Sequence, residues 1–269
     1  MPPPILEIED LHTYFRVSPS IKKALNGVSL NLQGGEAVGV VGRTGSGKSV
    51  LARSIMGLVR EPGYVAGGAI RFQGKDLLKL PEAELHSLRG KDIAMIVSSP
   101  RSRLNPLLSV GQQLANVVMA KQPLAKKTAF ERAVELLATV AIADPARVAY
   151  SLPHELSGGM SQRIIIAMAL AHSPRLLLAD EPTAGLDVTI QMQVLQMMSK
   201  LVRETGSALL IMTRDLGIIA HYCERAAVMM EGQIVEERPV REFFNDPHHP
   251  HSAFLLEAAF AAHGKDQAV

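Results

Sequence analysis

The sequence predicts an α/β fold in which helices cover a mixed β-sheet and a helical subdomain is inserted into the chain. Short β-rich segments alternate with amphipathic helical segments along the 269 residues, which is the pattern of a mostly parallel sheet layered with helices. Strand signals are missing between about residues 98 and 156. We therefore expect a core made of residues 1–97 and 158–246, a helical subdomain at 98–157 and a short C-terminal tail at 247–269.

The periodicity of hydrophobic residues predicts where the individual strands and helices lie. We expect strands at residues 5–8, 37–41, 92–97, 176–179, 208–212, 226–230 and 233–236. We expect helices at residues 49–59, 126–141, 158–171 and 189–203. In the second of these helices Ala133, Leu137 and Val140 recur at helical spacing, as in a helix that buries one face. From about Pro247 onward the pattern indicates only a short helix or tail.

The composition narrows the classes of function. Hydrophobic residues make up 47% of the chain and charged residues 20%, which is typical of a globular protein with a sizeable core. Only 4% of the residues are aromatic, Trp is missing and the net charge is +2, so a nucleic-acid partner is not expected. Cys223 is the single cysteine, which excludes an internal disulfide or thiolate cluster and indicates a reducing compartment.

The sequence lacks the features of a signal peptide and of a membrane span. Its first ten residues do not combine a basic start with an apolar stretch. Apolar runs such as residues 164–171 are far shorter than the ~18 residues that a membrane-spanning helix needs. We expect a cytoplasmic protein that reaches a membrane only through a partner.

A glycine-rich segment between a predicted strand and a predicted helix fits the phosphate-loop pattern G-x-x-x-x-G-K-[ST]. Its residues are Gly42, Arg43, Thr44, Gly45, Ser46, Gly47, Lys48 and Ser49. Glycines let consecutive backbone N–H groups turn toward phosphate oxygens, and the helix N-terminus adds positive potential. The Lys48 ammonium suits the β- and γ-phosphates and the Ser49 hydroxyl suits Mg²⁺. The motif in this context favours an ATP and Mg²⁺ site over an ordinary glycine-rich turn, and the expected set includes the next residue, Val50.

Two acidic residues follow the apolar strand expected at residues 176–179, and they complete the predicted nucleotide chemistry. Asp180 is expected to ligate Mg²⁺, and Glu181 beside it is expected to polarise an attacking water. Two acids after a strand commonly mark only the exit into a loop. The phosphate loop upstream favours the catalytic interpretation.

Residues 156–163, which read Leu-Ser-Gly-Gly-Met-Ser-Gln-Arg, resemble the signature motif of the ATP-binding-cassette (ABC) ATPases. The resemblance covers nearly the whole chain and implies a P-loop NTPase core with an inserted helical subdomain. It also implies that Ser157, Gly158 and Gly159 contact ATP held by a second subunit, so that nucleotide lies between two chains. A Ser-Gly-Gly sequence is otherwise common as a simple helix cap.

Within that family the chain is similar to the importers of dipeptides, oligopeptides and nickel. The similarity rests on residues 104–106, 110–111, 154–155, 187–189 and 246–250. Closely spaced histidines in the last of these segments allow a metal site, but the prolines around them favour a surface loop. Because the chain lacks the cysteines of the extension found in many such ATPases, we expect no iron–sulfur cluster.

The resemblance also implies an aromatic residue that stacks on adenine, and Phe15 matches that position best. Tyr14 is the neighbouring alternative, and an aromatic at the end of a strand is often simply part of the core. Residues 184–187 resemble the loop that contacts the partner across the dimer. Asp187 in that loop also suits the cap of the following helix.

Two positions depart from the family pattern, and both concern groups near the γ-phosphate. Ser98 stands where the family has a glutamine, and its hydroxyl is too short to replace the amide. Arg214 stands where the family has a histidine; it keeps a positive charge but cannot accept a hydrogen bond. The catalytic set implied by the resemblance is thus Glu181, Arg214 and Ser98. Losing one preorganised contact typically costs ~3 kcal/mol in the transition state.

The resemblance implies the ATP-binding subunit of an importer for a small solute, such as a peptide or a nickel complex. Its partners would be a second, different ABC ATPase subunit, two membrane permease subunits and, indirectly, an extracytoplasmic solute-binding protein. It would lie peripherally on the cytoplasmic face of the inner membrane. The two departures favour an asymmetric pair in which this chain hydrolyses ATP slowly and lends its signature to the partner's site; the alternative is that both sites turn over.

Two other functions are compatible with an ABC ATPase core. A nucleotide-dependent scaffold or regulatory ATPase would clamp partners in a soluble multiprotein complex. A DNA-repair or chromosome-clamp ATPase would need a long coiled coil or a zinc-binding insertion, and the sequence has neither sustained heptads nor spare cysteines. The importer interpretation is preferred over both.

Overall fold

A computed structural model describes residues 3–97 and 100–265. Its strands are β1 (Leu6–Val17), β2 (Ser20–Leu32), β3 (Ala37–Val41), β4 (Gly63–Phe72), β5 (Lys75–Asp76), β6 (Ile93–Ile96), β7 (Leu176–Asp180), β8 (Ala208–Thr213), β9 (Arg225–Met230) and β10 (Gln233–Pro239). Its helices are α1 (Lys48–Ile55), α2 (Glu82–Leu88), α3 (Val110–Met119), α4 (Lys126–Thr139), α5 (Pro145–Val148), α6 (Gly158–Leu170), α7 (Val188–Thr205), α8 (Leu216–Tyr222), α9 (Val240–Asn245) and α10 (Pro250–Lys265). The predicted α/β class is confirmed.

The chain divides into two units, and the first consists of Met1–Leu80 together with Ala208–Val269. One sheet of this unit is antiparallel, with the strand order β2-β1-β4-β5. A second group of strands follows the order β10-β9-β3-β8, in which β3 is parallel to both β8 and β9. Four of the five β3 residues are buried, as expected for a parallel strand covered on both faces. This central strand positions the phosphate loop, which begins where β3 ends.

The second unit is Pro81–Ser207, and it combines a short parallel strand pair with most of the long helices. Strand β6 is parallel to β7, with Ile93 opposite Leu176. The part that was expected to be helical contains α3, α4 and α5 in its described residues. Helix α3 packs closely against α4 at Gly111. A Cβ at this position would approach the Phe130 ring to 2.5 Å, so there is no room for a side chain. The limits of a helical subdomain at 98–157 remain a prediction.

The segment from about Pro247, for which a short helix or tail is expected, contains α10, a helix of 16 residues that packs on the core of the first unit. Leu256 is 4% exposed and belongs to a cluster with Phe243, Leu216 and Ile219. Alanines occupy much of α10 and weaken its amphipathic pattern, so the helix signal in this segment is weak. Strands β2 and β4 were also not predicted, because their glycines and lysines interrupt the strand alternation.

The start of α10 is fixed by a buried carboxylate on β10. Glu236 is 8% exposed, and its two carboxylate oxygens accept hydrogen bonds at 2.9 Å from the backbone N–H groups of His248 and His249. Burial acts to raise the pKa of Glu236, but these hydrogen bonds outweigh it and the pKa is lowered below its ordinary value. The charged form therefore anchors the segment that leads into α10.

We expect Glu236→Gln to lower the free energy of unfolding by about 1 kcal/mol at neutral pH, since it replaces two charge-assisted hydrogen bonds. A carboxyl whose folded pKa is depressed contributes stability above its unfolded pKa of about 4.3, and that contribution is lost as the pH falls through the folded pKa. The difference between wild type and variant should therefore shrink in acid. Urea unfolding at pH 7 and near pH 3 measures both, with the exposed Glu257→Gln as control. A difference that does not depend on pH would contradict this role.

Candidate nucleotide-binding site

The phosphate loop connects β3 to α1 and is pressed against neighbouring backbone. Gly45 and Gly47 have φ angles of 83° and 117°, in the left-handed region that favours glycine. A Cβ at Gly42 would lie 2.3 Å from the Met229 carbonyl oxygen, and one at Gly47 would lie 2.8 Å from the Ala24 carbonyl oxygen. The glycines of the motif are therefore required by the loop's shape as well as by phosphate approach.

Lys48 is the first residue of α1, and its side chain lies inside the loop. Its Nζ donates hydrogen bonds to the carbonyl oxygens of Gly42, at 2.6 Å, and Arg43, at 3.1 Å. The N-cap of the helix is Gly47, which makes no side-chain cap hydrogen bond. Ser49 and Val50 follow on the first turn and are half-buried. An ammonium group within a glycine loop at a helix N-terminus without a side-chain cap is a site for phosphate oxygens.

Arg214 lies at the same end of the strands as the phosphate loop. Strands β3 and β8 run in register with Val41 opposite Thr213, so the residues that follow both strands emerge side by side. The Nη1 atom of Arg214 lies 3.5 Å from the Thr44 hydroxyl oxygen. The structure thus brings Arg214, predicted from its place in the sequence, to the phosphate loop.

The structure also distinguishes between the two aromatic residues of β1 that are candidates for stacking on adenine. The Thr13 hydroxyl lies 2.9 Å from the hydroxyl of Ser54 on α1, so this face of β1 is directed toward the phosphate-loop helix. Side chains alternate along a strand, which places Phe15 on the same face as Thr13 and Tyr14 on the opposite face. Tyr14 instead makes an edge contact with Tyr64, its partner on β4. The geometry favours Phe15 as the aromatic nearest to a nucleotide bound on α1.

The two predicted acids lie in the second unit, at the end of β7. Asp180 is the last residue of this strand and is 6% exposed. Glu181 follows with a backbone φ of 48°, in a region that residues with a side chain rarely adopt. A strained backbone conformation of this kind persists only where the surrounding structure stabilises it. Residues with such conformations are often found at functional sites. Glu181 therefore has an unusual backbone conformation directly after the buried strand.

The signature segment forms the N-terminus of α6, as the sequence predicts. Ser157 is the N-cap residue, and its hydroxyl accepts a hydrogen bond from the Met160 N–H at 3.2 Å. A Cβ at Gly159 would approach the Ile190 side chain to 2.6 Å, whereas one at Gly158 would find ordinary contact distances. Asp187 caps α7 by accepting from the Ile190 N–H at 3.0 Å. The cap that the sequence allowed for Asp187 is therefore present.

One predicted residue of the site is not described by the structure, and one feature of the site was not predicted. Ser98 lies outside the described residues, so its expected role stays a prediction. On α10, the Phe254 ring lies 5.9 Å from the Arg43 guanidinium carbon and stacks with His251 at 6.4 Å. Burial lowers the pKa of His251, and His249 and Arg43 lower it further, so His251 is neutral at neutral pH. Nothing in the sequence links α10 to the phosphate loop, because the two are about 200 residues apart.

Comparison with known proteins identifies the class to which this fold and site belong. Residues 25–184 match the family model described as ABC transporter, and the chain belongs to this family. The resemblance that residues 156–163 carried is thereby confirmed. The chain is an ATPase whose cofactors are ATP and Mg²⁺. Among the described residues, no helix is long and apolar enough to cross a membrane.

Individual relatives are named for a narrower function than the family model. The chain is 46% identical over 253 residues to an oligopeptide transport ATP-binding protein, OppD, of Bacillus subtilis, covering 94% of this chain and 71% of the relative. It is 42% identical to OppD of Salmonella typhimurium, covering 94% and 76%. Among solved structures it is similar to the dimeric ATP-binding cassette MJ0796 in a post-hydrolysis state with ADP and Pi, at a TM-score of 0.79 and 28% identity, covering 88% of this chain and 99% of the other.

Proposed function

We propose that this chain is the ATP-binding subunit of a peptide importer, in which ATP binding and hydrolysis by a pair of ATPase subunits drive uptake through membrane permeases. The observation that carries the proposal is the phosphate loop, with Lys48 held at its centre. The solute class is supported by the relatives named for oligopeptide transport, which match 94% of the chain at 42–46% identity. The chain would act peripherally, on the cytoplasmic face of the inner membrane.

The residues of the loop fit a triphosphate and a magnesium ion. Lys48 would hold the β- and γ-phosphates, and the backbone N–H groups of residues 45–49 would bind their oxygens. Ser49 and Asp180 would ligate Mg²⁺, because hydroxyl and carboxylate oxygens are the ligands that this ion prefers. Mg-ATP supplies the phosphoanhydride bond whose hydrolysis releases the energy for transport. The protein's task is then to orient the groups around that bond.

Glu181 and Arg214 would act next to the γ-phosphate. Glu181 would accept a proton from the attacking water, which makes that water a better nucleophile. Arg214 would offset the negative charge that accumulates on the phosphate oxygens, but as a permanent cation it cannot share a proton as a histidine does. We infer that hydrolysis at this chain's own loop is slow. The signature residues Ser157, Gly158 and Gly159 would complete a faster site on a second, different ATPase subunit.

A rigid loop with an exposed leucine offers a surface for the permease subunits. Gln113 is 9% exposed and fixes this loop: its Oε1 accepts from the Asn105 N–H at 2.8 Å, and its Nε2 donates to the Asn105 and Leu108 carbonyls at 3.0 Å and 2.9 Å. Leu107 within the loop is 86% exposed, and Tyr150 in the same unit is 73% exposed. A single exposed leucine does not by itself mark a binding surface; the resemblance to importer ATPases implies that this part of the chain passes motion to the membrane subunits. We assign it to an apolar helix or loop of a permease.

Copurification tests this assignment and the importer function together. With the tagged chain expressed beside its permease subunits, we expect membrane proteins to copurify, and Leu107→Asp to reduce their yield about tenfold, a typical loss for a buried apolar contact. ATP binding by the variant should be unchanged. Leu124→Asp, at a second exposed leucine of the same unit, is the control. Recovery of a stable soluble complex without membrane proteins would instead support the scaffold function.

Because Phe15 lies on the side of β1 that faces α1, we predict that its ring stacks on the adenine base of ATP. We expect Phe15→Ala to weaken the binding of Mg-ATP by about tenfold, because stacking of a base on an aromatic ring contributes about 1–3 kcal/mol. Tyr14→Ala, on the opposite face of the strand, should change it by less than about twofold. Titration with a fluorescent adenine nucleotide measures both. A larger effect of the Tyr14 variant would reverse the assignment.

A further inference from the structure

A glycine on β4 lies directly beneath the ring of Phe15. Phe15 of β1 is the register partner of Gly63, the first residue of β4. Residues opposite each other in an antiparallel pair point to the same face of the sheet, so Gly63 is on the face that is directed toward α1. A Cβ at Gly63 would lie 2.6 Å from Cε1 of Phe15 and 3.0 Å from its Cδ1 and Cζ. The ring therefore occupies the space that a side chain at position 63 would need.

The backbone at position 63 does not itself call for glycine. Gly63 is not among the described glycines whose φ angle is positive, so its conformation lies outside the left-handed region that favours glycine. A glycine within a strand weakens the strand, and it often marks a place where another group approaches closely. The three atoms nearest to an added Cβ all belong to the Phe15 ring. The space for this ring is therefore the reason that the structure gives for a glycine here.

Backbone hydrogen bonds hold the two strands in place around this contact. The Arg16 N–H donates to the Pro62 carbonyl at 3.0 Å, and the Gly63 N–H donates to the Arg60 carbonyl at 2.9 Å. Because the strands are held together here, an added methyl group at position 63 is accommodated most easily by turning the Phe15 side chain to another rotamer. The ring would then leave its place while the pairing of the strands is kept.

We propose that Gly63 is a positioning residue for the nucleotide base: it leaves room for the Phe15 ring and so fixes the plane on which adenine stacks. Phe15 is half-buried, so part of the ring stays open to a ligand. A ring that is already held in one rotamer loses little conformational freedom when the base binds. The inference rests on the proposed stacking of adenine on Phe15. It does not concern the triphosphate, which the phosphate loop would hold.

Binding of Mg-ATP and of inorganic triphosphate with Mg²⁺ to the isolated full chain tests the proposal. We expect Gly63→Ala to weaken the binding of Mg-ATP about fivefold, which is part of the loss expected when the whole stacking contact is missing. The affinity for inorganic triphosphate, which has no base, should change by less than about twofold. Calorimetry measures both affinities, and circular dichroism shows whether the variant is folded.

The matched control is Gly67→Ala, at a second glycine of β4 that also lacks a positive φ. A Cβ at Gly67 would lie 3.8 Å from Cδ2 of His12, which is an ordinary contact distance. Gly67→Ala should therefore keep both affinities within about twofold of wild type, as for a substitution that meets no close contact.

A double variant shows whether Gly63 acts through the ring. Residues in contact have effects that do not add. Once the ring has been removed by Phe15→Ala, adding Gly63→Ala should cause no further loss of affinity for Mg-ATP. A residue that only supported the fold would cause the same additional loss with or without the ring.

Three results would overturn the proposal, and they differ in what else they affect. If Phe15→Ala weakens Mg-ATP but Gly63→Ala does not, the role of Gly63 is wrong and the stacking on Phe15 stands. Equal losses for Mg-ATP and triphosphate, or losses that add in the double variant, would mean that Gly63 supports the fold and not the ring. If Phe15→Ala itself leaves Mg-ATP binding unchanged, the proposed stacking fails and the role of Gly63 fails with it.

Discussion

Lys48→Ala is expected to lower the affinity of the chain for Mg-ATP by about 100-fold, with no loss of folded structure. The variant removes a positive charge that is held at the centre of the loop by direct hydrogen bonds to the carbonyl oxygens of Gly42 and Arg43. A charge-assisted contact to phosphate contributes about 1.5–3 kcal/mol, and 1.4 kcal/mol is a factor of ten. Titration with a fluorescent ATP analogue gives the affinity, and circular dichroism shows whether the variant is folded.

The control for this prediction is another lysine of the same unit. The Lys79 side chain is 84% exposed and pairs only with Asp76 among the ion pairs that the structure describes. Lys79→Ala should leave nucleotide affinity within about twofold of wild type, because exposed ion pairs contribute little. If the wild type and the Lys48 variant bound Mg-ATP with equal affinity, the phosphate loop would not be the nucleotide-binding site.

Gly158→Asp is expected to lower ATP turnover of the assembled ATPase pair by about 100-fold or more. An aspartate at this position places a negative charge at the start of α6, where the signature is expected to meet the phosphates held by the partner subunit. Repulsion at a preorganised phosphate contact typically costs about 3 kcal/mol or more in the transition state. A Cβ at Gly158 meets only ordinary contacts, so the variant should fold. Steady-state phosphate release by the purified pair is the measurement.

The matched variant Glu181→Gln separates asymmetric from symmetric turnover. If this chain's own site is slow, the pair carrying Glu181→Gln should keep about half or more of its turnover, while the corresponding change in the partner should abolish it. If Glu181→Gln alone abolishes turnover, the asymmetric assignment is wrong and both sites are needed. The signature prediction for Gly158 would then still stand.

The phosphate-loop half of the site could be predicted from the sequence because its signals are local. Strand β3, the loop and α1 follow one another in the chain, and each glycine that the motif requires meets a close backbone contact or a positive φ in the structure. Asp180 and Glu181 were found in the same way, as the residues after a buried apolar strand. The cap formed by Ser157 on α6 is likewise a contact between residues three apart.

What the sequence did not predict depends on contacts between distant residues. The preference for Phe15 over Tyr14 came from the resemblance alone, and its physical support is the hydrogen bond between Thr13 and Ser54, 41 residues apart. The packing of α10 required Leu256 to reach a cluster that includes Val41 and Phe243. Arg43 and Phe254 are separated by about 200 residues, and their contact has no counterpart in any periodic pattern. Such contacts depend on how the whole chain folds, so no window of sequence contains them.

The most direct test of the central claim is ATP-dependent peptide uptake by liposomes that contain the permease subunits, the solute-binding protein and the ATPase pair. With the wild-type chain we expect labelled peptide to accumulate only when ATP is present, and with Lys48→Ala we expect accumulation to fall to the level without ATP. Uptake that continues unchanged with the Lys48→Ala chain, or in the absence of this chain, would contradict its assignment as an ATP-binding subunit of a peptide importer.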